Sequence, residues 1–329
     1  MELLGGKNMG SINYAEQYSP ELFEIVMQNA LTSPFITTNV TWLNAKTFHM
    51  PILKVSGLGN HSRNGGYNKG NVSLEYKTYT IEHDRDISFL IDKADVDETN
   101  QVLKLENISK QLQMTQYTPE FDARFFSRVC KYAKDAKLTS DTAISTYTKK
   151  NVYSKLKDMM NHGSLKLYRQ HGSLVGFVRS EIMDMLELAE DFSRQIEVAT
   201  ISEGGVGIET RITKINGVTL FEVIDDDRFW NAFNFGDDGY SLIKKVSSDP
   251  GPVVEGSKKI NVMFVSLETV KTVPKINSLY MFEPGSHTEG DGYLYQNRQM
   301  WDTFVFPNGK SGEIDSIFVD LDTTEYTEE

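Results

Sequence analysis

The segments KTFHMPILKVS (residues 46–56), GLGNHSRNGGYNKGN (57–71) and SLEYKTYTIEHDRDISFLI (73–91) decide the fold of this chain. The third segment alternates apolar residues such as Tyr79 and Ile81 with polar ones, and an alternation of period two is typical of a β-strand. The middle segment holds five glycines and four asparagines, with almost no apolar residue. The pattern predicts a long β-hairpin, edged by Pro51, whose tip is polar and adaptable.

A two-stranded hairpin of this kind has little apolar surface of its own and is marginally stable in water. We therefore expect a neighbouring copy of the chain to cover it. The candidate contact residues are those of the tip and of the charged cluster on the second strand: Arg63, Tyr67, Lys69, Asp84, Arg85 and Asp86. Because successive strand residues point to opposite faces, the cluster around His83 is expected to form ion pairs and not a catalytic acid–base pair.

Helices are predicted after the hairpin, over residues 96–116 and from Thr118-Pro119-Glu120, where the first residues suit a helix N-terminus. Strands and helices then alternate, with Asn216-Gly217 as a type I′ hairpin turn. We expect a surface loop over 236–258 and a short helix from Ser266. Further strands are expected over 275–283, 297–306 and 313–321, with the last two forming a pair. The mixture predicts an α+β fold.

The composition excludes several classes of protein. The chain has 329 residues, of which 39% are hydrophobic and 24% charged, so it can form a real core. Its formal net charge of −12 is opposite to that of a protein that grips nucleic acid with its whole surface. Cys130 is the single cysteine, which excludes an intrachain disulfide and a cysteine-based zinc site. No signal peptide or transmembrane segment is predicted.

Motifs for catalysis are weak throughout the sequence. Gly309-Lys310-Ser311 lacks the first glycine of a phosphate-binding loop, since Phe304 stands at that position. The run from Asp225 to Asp227 lacks the ligand spacing of a calcium loop. The six histidines show no i, i+4 pair that could bind zinc on a helix. We therefore expect no catalytic residue, no cofactor and no metal, and we expect that the protein is not an enzyme.

The order of the elements, together with several segments, resembles the major capsid proteins of tailed bacteriophages and related prophages. The segments are NYAEQYSPELFEIVM (13–27), ITTNVTWLNAKTFHM (36–50), NHSRNGGYNKG (60–70), HDRDISFLIDKADVDETN (83–100), TPEFDARFFSRV (118–129) and GSHTEGDGYLYQNRQMWDTFVFPNGK (285–310). The ordered set carries the resemblance, since no single motif in it is diagnostic. It implies the Hong Kong 97-type fold.

The resemblance implies four regions. They are an N-terminal arm (1–45) with a helix from Ser19, the extended hairpin loop (46–95), a peripheral domain (96–145 and 275–329) with a long spine helix, and an axial α/β domain (146–274). It also implies a virion shell built from pentamers and hexamers and assembled in the bacterial cytoplasm. The implied partners are a separate scaffolding protein, a portal protein and DNA packaged without sequence recognition, with no membrane.

The scaffolding protein is expected to be separate because the hairpin begins by residue 46. Some members of the family crosslink a hairpin lysine to a neighbour, but the sequence identifies no partner for Lys69. Two alternatives remain open at this point. One is an encapsulin-type nanocompartment, which shares the fold. The other is an α/β enzyme with a cleft near residues 225–228, where Asp226 would act.

Overall fold

The computed structural model of the chain describes residues 30–61, 65, 67–93, 105–189, 196–197, 200–201, 208–209, 212–224, 226–236, 239–245, 254–308 and 312–327. The predicted helix from Ser19 and most of the predicted N-terminal arm lie outside the described residues. So do Arg63, Asp225 and the segment Gly309-Lys310-Ser311.

The described helices are α1 (Leu105–Leu112), α2 (Thr118–Asp135), α3 (Val152–Met160), α4 (Leu165–Gln170) and α5 (Ser180–Glu187). The strands of the first half are β1 (Thr41–Trp42), β2 (Thr47–Val55), β3 (Val72–Thr80), β4 (Asp84–Asp92), β5 (Thr139–Asp141), β6 (Leu174–Arg179), β7 (Ile196–Glu197), β8 (Thr200–Ile201) and β9 (Ile208–Glu209). Those of the second half are β10 (Ile212–Ile215), β11 (Val218–Val223), β12 (Phe233–Gly236), β13 (Gly239–Leu242), β14 (Lys258–Ser266), β15 (Val270–Phe282), β16 (Gly292–Val305) and β17 (Ile317–Glu325).

A seven-stranded sheet forms the centre of the described chain, in the order β5-β17-β14-β6-β11-β10-β7. Its inner strands are apolar on both faces, as the fully buried strand β6 shows, because helices cover both sides. Phe125, Phe126 and Val129 of helix α2 pack on one face. Helices α3, α4 and α5 pack on the other through residues such as Leu156 and Ile182. The result is a three-layer arrangement of helix, sheet and helix.

A second sheet, in the order β15-β16-β4, lies beside the centre and carries the hairpin. The hairpin itself is the β1-β2-β3 sheet, with Phe48 opposite Tyr79 and Val55 opposite Val72. The predicted hairpin is therefore present. The predicted single strand over 73–91 is wrong, however, because residues 81–83 separate β3 from β4 and the two strands join different sheets.

Helices α1 and α2 are joined through a wider helical turn, Gln113–Tyr117, and do not start as separate helices. Helix α2 begins at Thr118 as predicted, with Pro119 in its first turn. The hydroxyl of Thr118 does not cap this helix, because it donates a hydrogen bond of 3.0 Å back to the carbonyl of Gln113. The sequence signal located the boundary correctly, although the preceding turn keeps helical geometry.

Three expectations for the second half are wrong. Residues 236–258 are not only a loop, because strand β13 lies within them and pairs with β12. Ser266 ends strand β14, and a turn leads directly into β15 without a helix. Strands β16 and β17 do not form a pair, since β17 lies between β5 and β14 in the central sheet. The Asn216-Gly217 turn is confirmed, and both residues have positive φ, 49° and 81°.

Candidate functional site

The hairpin has two halves that differ in their surroundings. In the root half, residues 47–50 pair with 77–80. Phe48 is fully buried and Tyr79 is 6% exposed. Their rings stack at 5.6 Å, and Phe48 meets Phe304 of β16 edge-on at 5.1 Å. Burial of each such side chain contributes about 1.5–3 kcal/mol, so the root half is held by the chain's own body.

In the distal half, residues 51–55 pair with 72–76, and all apolar side chains except that of Ile52 lie on the other face of the ribbon. Cross-strand partners share a face, and residues two apart along a strand share it too. This distal apolar face consists of Pro51, Leu53, Val55, Val72, Leu74 and Tyr76. All six residues are exposed, with Leu53 at 56% and Val55 at 66%. Exposed apolar faces of this kind are typical of surfaces through which proteins bind other molecules.

The opposite face of the distal half is mainly polar, with the half-buried Ile52 as its apolar member. Lys54 and Glu75 form an ion pair of 2.9 Å there, and both side chains are substantially exposed. At the tip, Tyr67 is 95% exposed and Lys69 is also exposed. The tip has some internal order, because the Asn68 amide donates a 2.8 Å hydrogen bond to the carbonyl of Asn60. The distal half therefore presents the distal apolar face on one side and a mainly polar face on the other.

Helix α2 is bonded to the root of the hairpin at the junction of β3 and β4. We call the residues involved the root clamp: Glu120, Arg124 and Arg128 of α2, and Asp302 of β16. The carboxylate of Asp302 is fully buried and accepts two hydrogen bonds of 3.1 Å from Arg124. It also lies 3.3 Å from Nε of Arg128. Arg128 in turn donates a 2.9 Å hydrogen bond to Glu82, and the backbone N–H of Glu82 donates to Asp302 at 3.2 Å. A buried carboxylate with two arginines is costly to disrupt, so the exit angle of the hairpin is fixed.

Glu120 forms the second set of contacts in the root clamp. Its Oε1 atom lies 3.1 Å from Nε2 of His83 and 2.9 Å from Nε of Arg85. Burial lowers the pKa of His83, so this imidazole is neutral in the fold. Burial alone would raise the pKa of Glu120, but the contacts with His83 and Arg85 outweigh it and lower that pKa. Glu120 is therefore ionised, and Arg85 balances its charge.

Arg85 reaches further than Glu120. Its guanidinium donates hydrogen bonds to the carbonyls of Gly236, at 2.6 Å, and Gly239, at 3.1 Å. These two carbonyls flank the turn between β12 and β13. One side chain thus joins the hairpin root, helix α2 and the β12–β13 hairpin.

Asp84 points away from this clamp, as the alternation of a strand requires. It accepts hydrogen bonds of 2.9 and 2.8 Å from Arg298 of β16 and one of 3.2 Å from Lys46. The hydrogen bonds from Arg298, and secondarily those from Lys46, lower the pKa of Asp84 to about 2 despite partial burial. Asp86 is exposed.

The structure thus separates the predicted contact residues into two groups. Tyr67 and Lys69 lie exposed at the tip, and Asp86 is exposed on β4. Asp84 and Arg85 bind partners within the same chain. Sequence reasoning missed the clamp residues of helix α2. The i, i+4 spacing of Glu120, Arg124 and Arg128 was readable, but nothing in the sequence linked them to Asp302.

Features that would indicate other functions are few among the residues that the structure describes. None of the described helices is both long and apolar enough to span a bilayer. Within the same residues, no three histidine, cysteine, aspartate or glutamate side chains are grouped as metal ligands. Cys130 is buried in the core, and burial raises the pKa of its thiol, which makes it unreactive.

Comparison with models of known protein families finds no match, and comparison with curated protein sequences finds none either. Solved structures are similar over nearly the whole chain. The mature capsid of bacteriophage PhiM1 is similar with a TM-score of 0.56 at 12% identity, over 99% of this chain and 93% of that one. The capsid of cyanophage P-SCSP1u has a TM-score of 0.56 at 11% identity, with the same coverages.

A structure from Mycobacterium phage Adephagia has a TM-score of 0.51 at 9% identity, over 99% of this chain and 96% of that one. At such identities the likeness establishes the fold. The chain has the fold of phage capsid proteins, as its sequence predicts.

Proposed function

We propose that this chain is the major capsid protein of a tailed bacteriophage or a related prophage. Its copies assemble into pentamers and hexamers that form an icosahedral shell around double-stranded DNA. The observation that carries the proposal is the similarity to phage capsid structures over 99% of the chain. A shell protein works through surfaces and not through a reaction, which agrees with the prediction that the chain is not an enzyme.

The distal apolar face supplies the physical reason for assembly. Removing its six exposed side chains from water is favourable, and this happens only when another surface covers them. In the proposal that surface belongs to an adjacent copy, and Arg63, Tyr67, Lys69 and Asp86 contact the same neighbour. Asp84 and Arg85 contribute by fixing strand β4 within their own chain. Each contact is modest, and closure of rings and shell multiplies it.

The proposal also includes the further partners that the family resemblance implies. These are a separate scaffolding protein, a portal protein and DNA packaged without sequence recognition, with no membrane. Assembly takes place in the cytoplasm of the bacterial host, and the finished protein resides in the virion.

Replacing apolar residues of the distal apolar face by charged ones tests the proposal. Leu53 and Leu74 lie directly opposite each other, so the double variant Leu53→Lys/Leu74→Glu keeps a favourable cross-strand pair. The hairpin should therefore remain folded, while charged side chains stand in the middle of the distal apolar face. We expect circular dichroism to show a folded protein and negative-stain microscopy to show no closed shells, where the unaltered chain forms them.

The matched control changes two residues on the mainly polar face of the distal half. Lys54→Ser/Glu75→Ser removes an exposed ion pair, which is worth little, and should leave shells intact. Deletion of residues 60–70 should act like the apolar-face variant. Normal shells from both the deletion and the apolar-face variant would refute the role of the hairpin.

The contents of the particles separate this function from that of an encapsulin-type compartment. Particles recovered from infected or induced cells should hold DNA. Packaged enzyme in place of DNA would show that the shell serves as a nanocompartment.

A further inference from the structure

Residues 149–171 differ in charge from the rest of the chain. They contain five lysines and one arginine against a single aspartate, a net charge of +5 within a chain whose net charge is −12. His162 and His171 lie in the same segment and are exposed. A local excess of this size in an acidic protein indicates an anionic partner.

The fold places this segment on one side of the central sheet. Helices α3 and α4 turn Val152, Leu156, Met160, Leu165 and Tyr168 into the core on one side of the central sheet. The cationic side chains lie outside that core, and four of the lysines are exposed: Lys149, Lys150, Lys157 and Lys166. This basic surface is on the opposite side of the sheet from helix α2.

Two of the six cations of the basic surface contact neutral groups at short distance. Lys155 donates to the Thr146 carbonyl at 3.2 Å and lies over the ring of Tyr147. Arg169 donates to the side chain of Asn161 at 2.6 Å. Within the described part of the chain, none of the six forms an ion pair with a carboxylate.

Cations elsewhere in the chain are commonly paired with carboxylates. On the helix α2 side, Lys134 pairs with Glu255 at 2.7 Å and Lys245 with Glu325 at 3.0 Å. Helix α5, which packs against α3, carries three acidic residues, Glu181, Asp184 and Glu187, and Glu181 is paired with Arg179 at 3.0 Å. The chain thus leaves the charge of α3 and α4 to be neutralised by another molecule.

We propose that the basic surface of helices α3 and α4 contacts the phosphates of duplex DNA and therefore faces the interior of the shell. The inference rests on the proposed function, which supplies DNA as the enclosed molecule. Lysine is depleted in protein–protein interfaces, whereas phosphate contacts tolerate its flexible point charge. Five lysines among six cations therefore favour a nucleic-acid backbone over an acidic protein. Recognition by charge alone is independent of base sequence.

The test compares two variants of the full-length chain that each lose four positive charges. The surface variant carries Lys149→Gln, Lys150→Gln, Lys157→Gln and Lys166→Gln. The control carries Lys131→Gln, Lys134→Gln, Lys137→Gln and Lys245→Gln, which lie away from the basic surface. Binding of a short duplex to the unassembled protein is followed by fluorescence anisotropy across a series of salt concentrations, and the shells that each protein forms are counted separately by negative-stain microscopy.

We expect the surface variant to bind DNA more than about tenfold more weakly at low salt. The slope of log affinity against log salt should fall by about one for each lysine that contacted a phosphate. The control should bind like the unaltered chain, and both variants should form shells.

Three results would overturn the inference while leaving the capsid function intact. These are no DNA binding by the unaltered chain that nonetheless forms shells, equal loss of binding in both variants, or a surface variant that binds DNA normally. A surface variant that binds DNA normally and fails to form shells would instead assign the basic surface to contact between copies. Failure of infected or induced cells to yield any shell of the unaltered chain would count against the proposed function, and it is detected separately from DNA binding.

Discussion

The root half and the distal half of the hairpin lie on the same two strands, whose side chains alternate between two faces. Most apolar residues of the root half nevertheless lie on one face, and most of those of the distal half lie on the other. At the root, Phe48 and Tyr79 point into the chain's own body and are buried. In the distal half, Leu53 and Leu74 point to the other face and are exposed. Phe48 and Leu53 differ by an odd number of positions, and an odd offset changes the face in a strand.

In the proposed function, the two faces of the hairpin pack against two different surfaces. The root face is completed by β15 and β16 within the chain, and in the proposed function the distal face is completed by another copy. Since a hairpin alone is marginally stable, the root must be rigid for the distal face to be presented at a defined angle. The clamp formed by Glu120, Arg124, Arg128 and Asp302 gives that rigidity.

The largest effect is expected from truncation at the root. Phe48→Ala removes a fully buried ring and should lower the free energy of unfolding by about 3–5 kcal/mol. Leu53→Ala in the distal half should change it by less than about 0.5 kcal/mol, because the side chain is 56% exposed in the single chain. Denaturant unfolding of the unassembled protein measures both values. Similar losses for the two variants would remove the distinction between the halves.

A smaller effect is expected from pH at the root clamp. Burial depresses the pKa of His83 below its ordinary value of 6.5, so the unfolded chain gains this proton before the folded chain does. The stability contributed by neutral His83 is therefore present above pH 6.5 and is lost as pH falls from there through the folded pKa. Glu120, Arg85, Arg124 and Asp302 surround the ring and set the extent of the loss.

The variant His83→Gln should reduce the change in unfolding free energy between pH 7 and pH 5. The exposed histidine His61, at the hairpin tip, provides the control, since His61→Gln should leave the pH profile unchanged. An unchanged profile in His83→Gln would mean that His83 is not the group responsible.

The smallest effect is expected at the exposed ion pair beside the clamp. Arg298, and secondarily Lys46, lower the pKa of Asp84 to about 2, so its contribution is present above about pH 4 and is lost as pH falls through about 2. Asp84→Asn should cause a slight destabilisation at pH 7 that high salt weakens. Thermal unfolding at low and high salt measures it. A destabilisation comparable to that of Phe48→Ala would show that the pair is a main support of the root.

Much of the fold was readable from local patterns. The two hairpin strands, the start of helix α2 at Thr118 and the Asn216-Gly217 turn depend on short-range periodicity and turn chemistry. The break between β3 and β4 was not readable. The alternation of apolar residues continues through Ile81, and the break depends on Glu82 bonding to Asp302, which lies 220 residues away along the chain.

The predicted contact of the hairpin with a neighbouring copy stays a prediction. Tyr67 and Lys69 lie exposed at the tip, as expected of a segment that has so few apolar residues to bury. The cluster at residues 83–86 was recognised as charged, but its partners came from strand β16, helix α2 and the β12–β13 turn. Such partners are set by how the sheets stack, and a single sequence does not contain that information.

The sequence by itself determined which residues of the hairpin alternate, where its tip is polar and where the chain is basic, since these depend on neighbours along the chain. The tertiary structure alone decided which face of the root half is buried, which carboxylates hold the arginines of helix α2, and on which side of the central sheet the basic segment lies. Those outcomes depend on contacts between residues far apart in sequence, and their energies exist only once the layers have packed.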